Sequence, residues 1–437
     1  MVLAAQAAPA PLPPASAQAS RTVLLRLAGS DALGGKLARR LASGYLASIG
    51  DSGILLVPGG ADHPAEVTGI QGGQSETIQV ASGLPASGFA ALLRGTAEMA
   101  MSPRRILPAE AERLSSLGDM TSPANEAVIG IQGVVAVVSP ANKLSSLTVP
   151  QLRGILAGRL TDWSQLGGVR GPIHVHVVDN QGGTADAPQD MLIGQDDIAG
   201  TVYRVANEQS LAAVVASDTA NIGFATFGNT GAAKVLSVAE NGASPVAPTD
   251  LSISTEAYPL SRRLYVYTSP ALPNQFVKRF AAYVSSAVGQ GAVAAEGMVP
   301  LTIKAEAETV PDTASERFRQ VVAGAARLSV NFRFQPGSME LDTRATRDLD
   351  LLVTYLRAQR VDPSRVILAG FADNSGTPTA NQAVAQRRAE AIMTALAKSS
   401  IVPGKALAFG AELPVADNAT LEGRERNRRV EVYLAPQ

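Results

Sequence analysis

The chain has 437 residues, which at about 150 residues per folding unit predicts about three units. Hydrophobic residues are 46% and charged residues 17%, enough for packed cores, and the balance of 37 basic against 38 acidic residues excludes a global field for nucleic acid or an anionic membrane. Cysteine is absent, which excludes thiol catalysis, thiolate metal sites and disulfides, and only His63, His174 and His176 are left for a histidine-dependent enzyme or metal site.

Residues 1–20, "MVLAAQAAPAPLPPASAQAS", are uncharged and Ala/Pro-rich. Ala5-Gln6-Ala7 fits a small-x-small cleavage site, so the segment reads as the remnant of an export signal or as a plain Ala/Pro linker. From Thr22 strands and helices alternate. "TVLLRLAGS" predicts a strand, and Leu33, Leu37, Leu41 and Tyr45 recur every four residues along the following helix. "ETIQVAS" predicts a strand, "SGFAALLRG" a helix and "AEMAMSP" a strand. "AVIGIQGVVAVVSP" predicts a long β-branched strand, and with Gln132 inside it, it is too short to span a membrane. "TVPQLRGILAG" predicts a helix capped by Thr148, with Pro150 in its first turn. "PIHVHVV", "NIGFATFG" and "RRLYVYT" predict strands, and one or two helices follow to about Leu301. This alternation predicts an α/β region. Residues 302–327 read as a polar linker with one amphipathic helix around Phe318, Val321, Val322 and Ala325. A β-α-β-α-β order then predicts a two-layer α+β sandwich.

Three glycine/hydroxyl clusters fall at strand-to-helix junctions of the first region: Gly29-Ser30, Ser87-Gly88 and Gly182-Gly183-Thr184. Such junctions offer free backbone N–H groups and the positive end of a helix dipole, which suit an anion; a helix cap is the simpler alternative for each. Arg104 could add a counter-charge. His174 and His176 alternate on a strand, so both point to one face, with no further ligands at a metal-binding spacing. No hydrolase, nucleotide-binding or dinucleotide motif occurs.

"AGSDALGGKLARRLASGY", "FAALLRGTAEMAMSPRR", "SSLTVPQLRGILAGRLTDWSQLGG" and "YPLSRRLYVYT" together resemble the PstS-like phosphate-binding proteins of ABC importers. The resemblance implies a type 2 periplasmic-binding-protein fold over residues 21–305. Lobe 1 would be about 21–127 with 259–305, lobe 2 about 128–258, joined by crossover strands near 128–138 and 258–267. It implies an oxyanion site at Ser30, Ser87, Gly88, Arg104, Gly183 and Thr184, phosphate or a similar small oxyanion as ligand, and an ABC permease as partner. Val178 and Gly182 stand where the family has the arginine and serine of Arg-x-x-x-Ser-Gly-Thr, so phosphate affinity no tighter than about micromolar is expected.

"VNFRFQPGSMELD", "VILAGFADNSG", "NQAVAQRRAEAIMTAL" and "GRERNRRVEVYL" resemble the OmpA C-terminal, peptidoglycan-binding domain over residues 327–437, with 306–326 as a linker. That resemblance implies the diaminopimelate of the stem peptide as ligand. Its ammonium would meet Asp373 and its carboxylate Arg388, with Asn374 and Asn381 adding hydrogen bonds. A structural salt bridge is the alternative for the charged pair. Arg424, Arg426, Arg428 and Arg429 read equally as a solvated strand start or a wall-facing cluster. Together these readings predict a non-catalytic periplasmic solute-binding protein anchored to peptidoglycan, without cofactor or metal. The alternative is a ligand-less interaction module tethered to the wall.

Overall fold

The computed structural model describes residues 21–60, 63–179, 190–193, 198–307, 309–335 and 338–436. Its first region is built on one mixed sheet of eleven strands. At the centre lies Glu126–Val138, whose β-branched run is buried along nearly its whole length, as a strand covered on both faces requires. Its first half pairs antiparallel with Ser261–Thr268, in register from Ser261 opposite Gly133 to Tyr267 opposite Glu126. Its second half pairs with Asn221–Thr226, from Ile222 opposite Val138 to Thr226 opposite Val134. Glu126–Val138 and Ser261–Thr268 are thus the long central strands that join the two halves of the sheet, at the positions expected of the crossovers. Beyond Ser261–Thr268 the sheet continues through Met99–Ser102, Arg21–Ser30 and Gln74–Gly83. Beyond Asn221–Thr226 it continues through His174–Val178 and Tyr203–Val205.

Two features depart from the sequence reading. The helix after Ser30 is broken into Asp31–Gly34 and Leu37–Ile49. A hairpin of Ser52–Val57 and Ala65–Gln71, not anticipated, forms the outer edge of lobe 1. Two helices, Gln275–Ser285 and Ala287–Ala295, follow the second crossover, and Tyr45, Phe280 and Tyr283 pack edge to face between them and helix Leu37–Ile49.

The C-terminal unit has a five-stranded sheet in the order Ala305–Ala307, Ala326–Arg333, Arg429–Leu434, Val366–Gly370, Lys405–Ala408. One face (Val330, Val366, Leu368, Val432) packs on helices Thr343–Ala358 and Pro378–Ala397 through Leu352, Leu356, Ile392 and Leu396. This is the expected two-layer sandwich. The segment read as a linker belongs to the same unit: Ala305–Ala307 is its edge strand, and helix Glu316–Val322 covers the second sheet face. There Phe318 meets Phe371, Phe409 and Tyr433.

The two units share a buried polar seam. Glu256, just before the second crossover, accepts from Arg263 (2.6 Å) of that strand and from Arg344 (2.6 Å) and Arg333 of the C-terminal unit. Burial alone would push its carboxyl up, but the three guanidinium groups hold it well below the usual glutamate range. Arg263 also reaches Asp342 (2.8 Å), Thr343 donates to Glu126, and Arg347 Nη1 donates to the Val128 carbonyl (2.6 Å). On lobe 2, Glu240 takes Arg426 and the Asp417 N–H.

Candidate functional site

In lobe 1 the parallel strands Arg21–Ser30, Gln74–Gly83 and Met99–Ser102 end at one edge, with Ser30 paired to Gly83 and Gly29 to Met101. That edge gathers Ser30, Ser87, Gly88 and Arg104. Gly29 turns the chain there at φ +128°, where an added Cβ would lie 2.3 Å from the Met101 carbonyl oxygen. A Cβ on Gly88 would lie 2.6 Å from the Ala28 carbonyl, so glycine lets helix Pro85–Leu93 rest on the strand end. Ser30 is fully buried and accepts from the Ala32 N–H (3.1 Å), and Ser87 spends its hydroxyl proton on the Leu84 carbonyl (2.7 Å).

Arg104 is engaged by its own chain. Its Nη1 and Nη2 each donate to Glu110 at 2.8 Å, and Nη1 also to the Arg105 carbonyl. Burial works to raise the Glu110 pKa, but the Arg104 pair and the Leu107 N–H hold it below the ordinary value. A bidentate, neutralised guanidinium is not a free counter-ion for an oxyanion. Val178 ends strand His174–Val178 without a charge to offer, and Gly183 and Thr184 lie outside the described residues. His174 and His176 do share a face, each contacting the Tyr203 ring.

Between the lobes lies a cavity of about 1180 Å³. Lobe 1 lines it with Lys36, Arg39 and Arg40, lobe 2 with Asn207, Glu208 and Asn229, and of the anticipated oxyanion residues those that are described, Ser30, Ser87, Gly88 and Arg104, are not part of its wall. Glu208 is held by Thr226 N–H (2.7 Å), Thr226 Oγ1 (2.8 Å) and Asn229 (2.7 Å), and Arg40 pairs with Glu296. Nothing in the sequence pattern singles out Lys36 and Arg39.

The C-terminal site is different. Asp373 follows strand Val366–Gly370 and Arg388 sits on helix Pro378–Ala397, so strand and helix bring them together at one end of the sandwich. Asp373 accepts from Ser375 N–H (3.0 Å), Ser375 Oγ and Arg428 Nη1 (2.8 Å). Burial works against its charge, but these bonds keep its carboxyl below the usual aspartate range. Arg388 is 6% exposed, lies over the Phe334 ring at 5.3 Å, and its buried Nε and Nη1 have no hydrogen-bond partner. Burial first, then the neighbouring Arg428 charge, bring its pKa down to about 10, so it stays cationic at neutral pH. Two guanidiniums against one carboxylate leave a net positive site with open donors, which suits a carboxylate. Asn381 donates to the Gly376 carbonyl (3.2 Å), and Asn374 is exposed, its N–H 3.4 Å from Asn418 Oδ1.

The four-arginine cluster is not one solvated surface. Arg429 is buried over the Phe371 ring at 4.1 Å and bonds Glu431 (2.7 Å), Arg426 joins lobe 2, and Arg428 joins Asp373. Arg424 donates to the Asn418 carbonyl at 2.9 Å.

The fold is a two-lobed α/β domain joined to an α+β sandwich domain. Residues 74–288 match the model of the PBP superfamily domain, and residues 333–428 match that of the OmpA family. The C-terminal part is 34% identical over 110 residues to the peptidoglycan-associated lipoprotein of Pseudomonas putida, covering 25% of this chain and 64% of that protein. The first region is 23% identical over 188 residues to the phosphate-binding protein PstS of Borreliella burgdorferi, covering 40% of this chain and 66% of that protein. A crystal structure of a possible phosphate binding protein from Planctomyces limnophilus shares the fold, with TM-score 0.50 and 20% identity over 70% of this chain and 99% of that one. The chain spans about a third of the length of the Pseudomonas outer membrane porin F relatives it also matches. No helix among the described residues is long and apolar enough to cross a membrane.

Proposed function

We propose that the protein is a non-catalytic solute-binding protein of the cell envelope, held to peptidoglycan by its C-terminal domain. The observation that carries this reading is Arg388: a buried guanidinium with unpartnered Nε and Nη1, beside Asp373, in a domain matched to the OmpA family. A diaminopimelate side chain ends in an ammonium and a carboxylate on one carbon. Its carboxylate would take the open Arg388 donors, and its ammonium would share Asp373 with Arg428. The relative named for its association with peptidoglycan supports the same ligand. Co-sedimentation of the full chain with purified sacculi tests it: the wild type should pellet, and Asp373→Ala and Arg388→Ala should stay in the supernatant. Pelleting of both variants at the wild-type level would sink the assignment.

The strand-end edge of lobe 1 takes a small oxyanion such as phosphate, weakly. The fold and the named phosphate-binding relatives favour that ligand class. Ser30, Ser87, Gly88, Gly183 and Thr184 would supply the donors, and Arg104 would first have to leave Glu110. A periplasmic location, delivery by an export signal and an ABC permease partner belong to the same reading. The Arg104–Glu110 pair favours a second reading, a wall-tethered interaction module without a small ligand. Titration of phosphate into the full chain separates the two: dissociation constants from micromolar to millimolar support the first, and no binding at millimolar phosphate supports the second.

A further inference from the structure

Lobe 1 contains a second cavity, of about 210 Å³, away from the interlobe cleft. Its floor is the sheet, at Leu27 and Met101, and its walls are Leu37 and Leu41 of one helix and Phe280 and Val284 of another. All six are under 4% exposed, so the void reaches the middle of a hydrophobic core. Protein cores are close-packed, and an apolar void wider than a water molecule forfeits dispersion contacts along its whole lining. This one exceeds the roughly 150 Å³ engineered cavity that stays dry and takes up benzene.

The mouth has another chemistry. It opens past Pro123 and Ala124, which are exposed, and two cations stand at it: Lys278 of helix Gln275–Ser285 and Arg347, contributed by the C-terminal domain. Arg347 Nη1 is spent on the Val128 carbonyl, and among the described residues neither cation has a carboxylate in ion-pair reach. Burial pushes the Arg347 pKa down, so an anion placed against it would restore what burial removes.

We propose that this cavity is a binding site for a medium-chain carboxylate, the aliphatic tail in the lobe 1 core and the head group between Lys278 and Arg347. The volume suits a tail of roughly six to ten carbons. Because the mouth is completed by Arg347, the site belongs to the assembled two-domain chain. It is separate from the oxyanion cleft and from the Asp373/Arg388 site, and it stands whether or not either binds its ligand.

Titration calorimetry on the full chain, with decanoate below its micellar concentration, should give saturable one-to-one binding with a dissociation constant on the order of 100 µM. Ala38→Phe, which fills the cavity from a residue 3% exposed on its wall, should weaken it at least tenfold. If that variant fails to fold, Ala281→Leu at the rim should have the same effect. Arg347→Gln should weaken decanoate three- to tenfold and leave decan-1-ol unchanged. Anionic phospholipid vesicles should not retain the chain. Decanoate binding unaltered by either filling variant, no saturable binding by wild type, or retention on vesicles without binding of free decanoate would each overturn the proposal.

Discussion

Two arginines at the ends of strand-and-helix units behave oppositely: one is answered by a carboxylate of its own turn, the other keeps open donors. Arg104 of lobe 1 carries its acid six residues away, and both fork nitrogens sit on Glu110 at 2.8 Å. Arg388 of the C-terminal domain is more deeply buried and leaves two donors unpaired, while its acid, Asp373, is shared with Arg428. The empty donors of a buried guanidinium lose hydration that the Phe334 ring and the nearby Asp373 charge offset only in part, an arrangement that costs stability unless something docks there. A motif arginine is therefore a ligand arginine only where the chain leaves its charge unanswered.

Both regions depend on the frame they share, and the harshest test removes it. Glu256→Ala leaves Arg333 buried without its carboxylate and takes one of two from Arg263 and Arg344, and chemical denaturation should show a loss of about 3–5 kcal/mol. A loss under about 1 kcal/mol would mean that the seam is hydrated. Next, Arg388→Met should lower sacculus affinity by about 100-fold, near 2.7 kcal/mol, without lowering the melting temperature, because no bond made by Arg388 Nε or Nη1 is lost. Unfolding of that variant would instead mark Arg388 as a structural cation.

The comparison sharpens if the lobe 1 arginine can be released. Glu110→Gln removes the charge facing Arg104 and should raise phosphate affinity about tenfold in calorimetry; unchanged or weaker binding would show that Arg104 does not face the ligand. The smallest effects are in pH. Asp373 has a depressed pKa, so its contribution is complete above the ordinary aspartate value of about 3.9 and is lost as pH falls through the lower folded value. Pelleting should be flat from pH 8 to 5. In lobe 1, burial raises the Asp51 and Glu76 carboxyls, and the Asp51 charge raises Glu76 further. Their contribution is present at low pH and fades as pH rises through the raised values. Asp51→Asn should therefore raise the melting temperature by a few degrees at pH 8 and leave it nearly unchanged at pH 4.

The sequence made the long elements legible. The crossovers at Glu126–Val138 and Ser261–Thr268 show as β-branched or aromatic runs, and the helix Pro378–Ala397 sits in a motif that also placed Asp373 and Arg388. The hairpin at Ser52–Val57 escaped because "SGILLV" keeps Leu55, Leu56 and Val57 about half exposed, so no in-out alternation marks it. Glu110 as the partner of Arg104 depends on a turn that spacing does not announce. The Glu256 cluster was invisible for a stronger reason: its arginines lie 7, 77 and 88 residues away, and only the docking of two domains brings them together. Arg429 read as a surface residue because an arginine in the core is rare, and here Glu431 and the Phe371 ring compensate its burial.

Thr343, Arg344 and Arg347 grip the chain beside both crossover strands, through Glu126, Glu256 and Val128. In a two-lobed fold, closure is a rotation about those strands. The C-terminal domain is therefore mounted on the axle of the molecule rather than trailing from a flexible leash. Any turn of the lobes exerts torque on it, and a domain pinned to a stiff wall resists that torque. By thermodynamic reciprocity, any effect that a wall-held C-terminal domain had on the cleft would be matched by an equal effect of an occupied cleft on that hold.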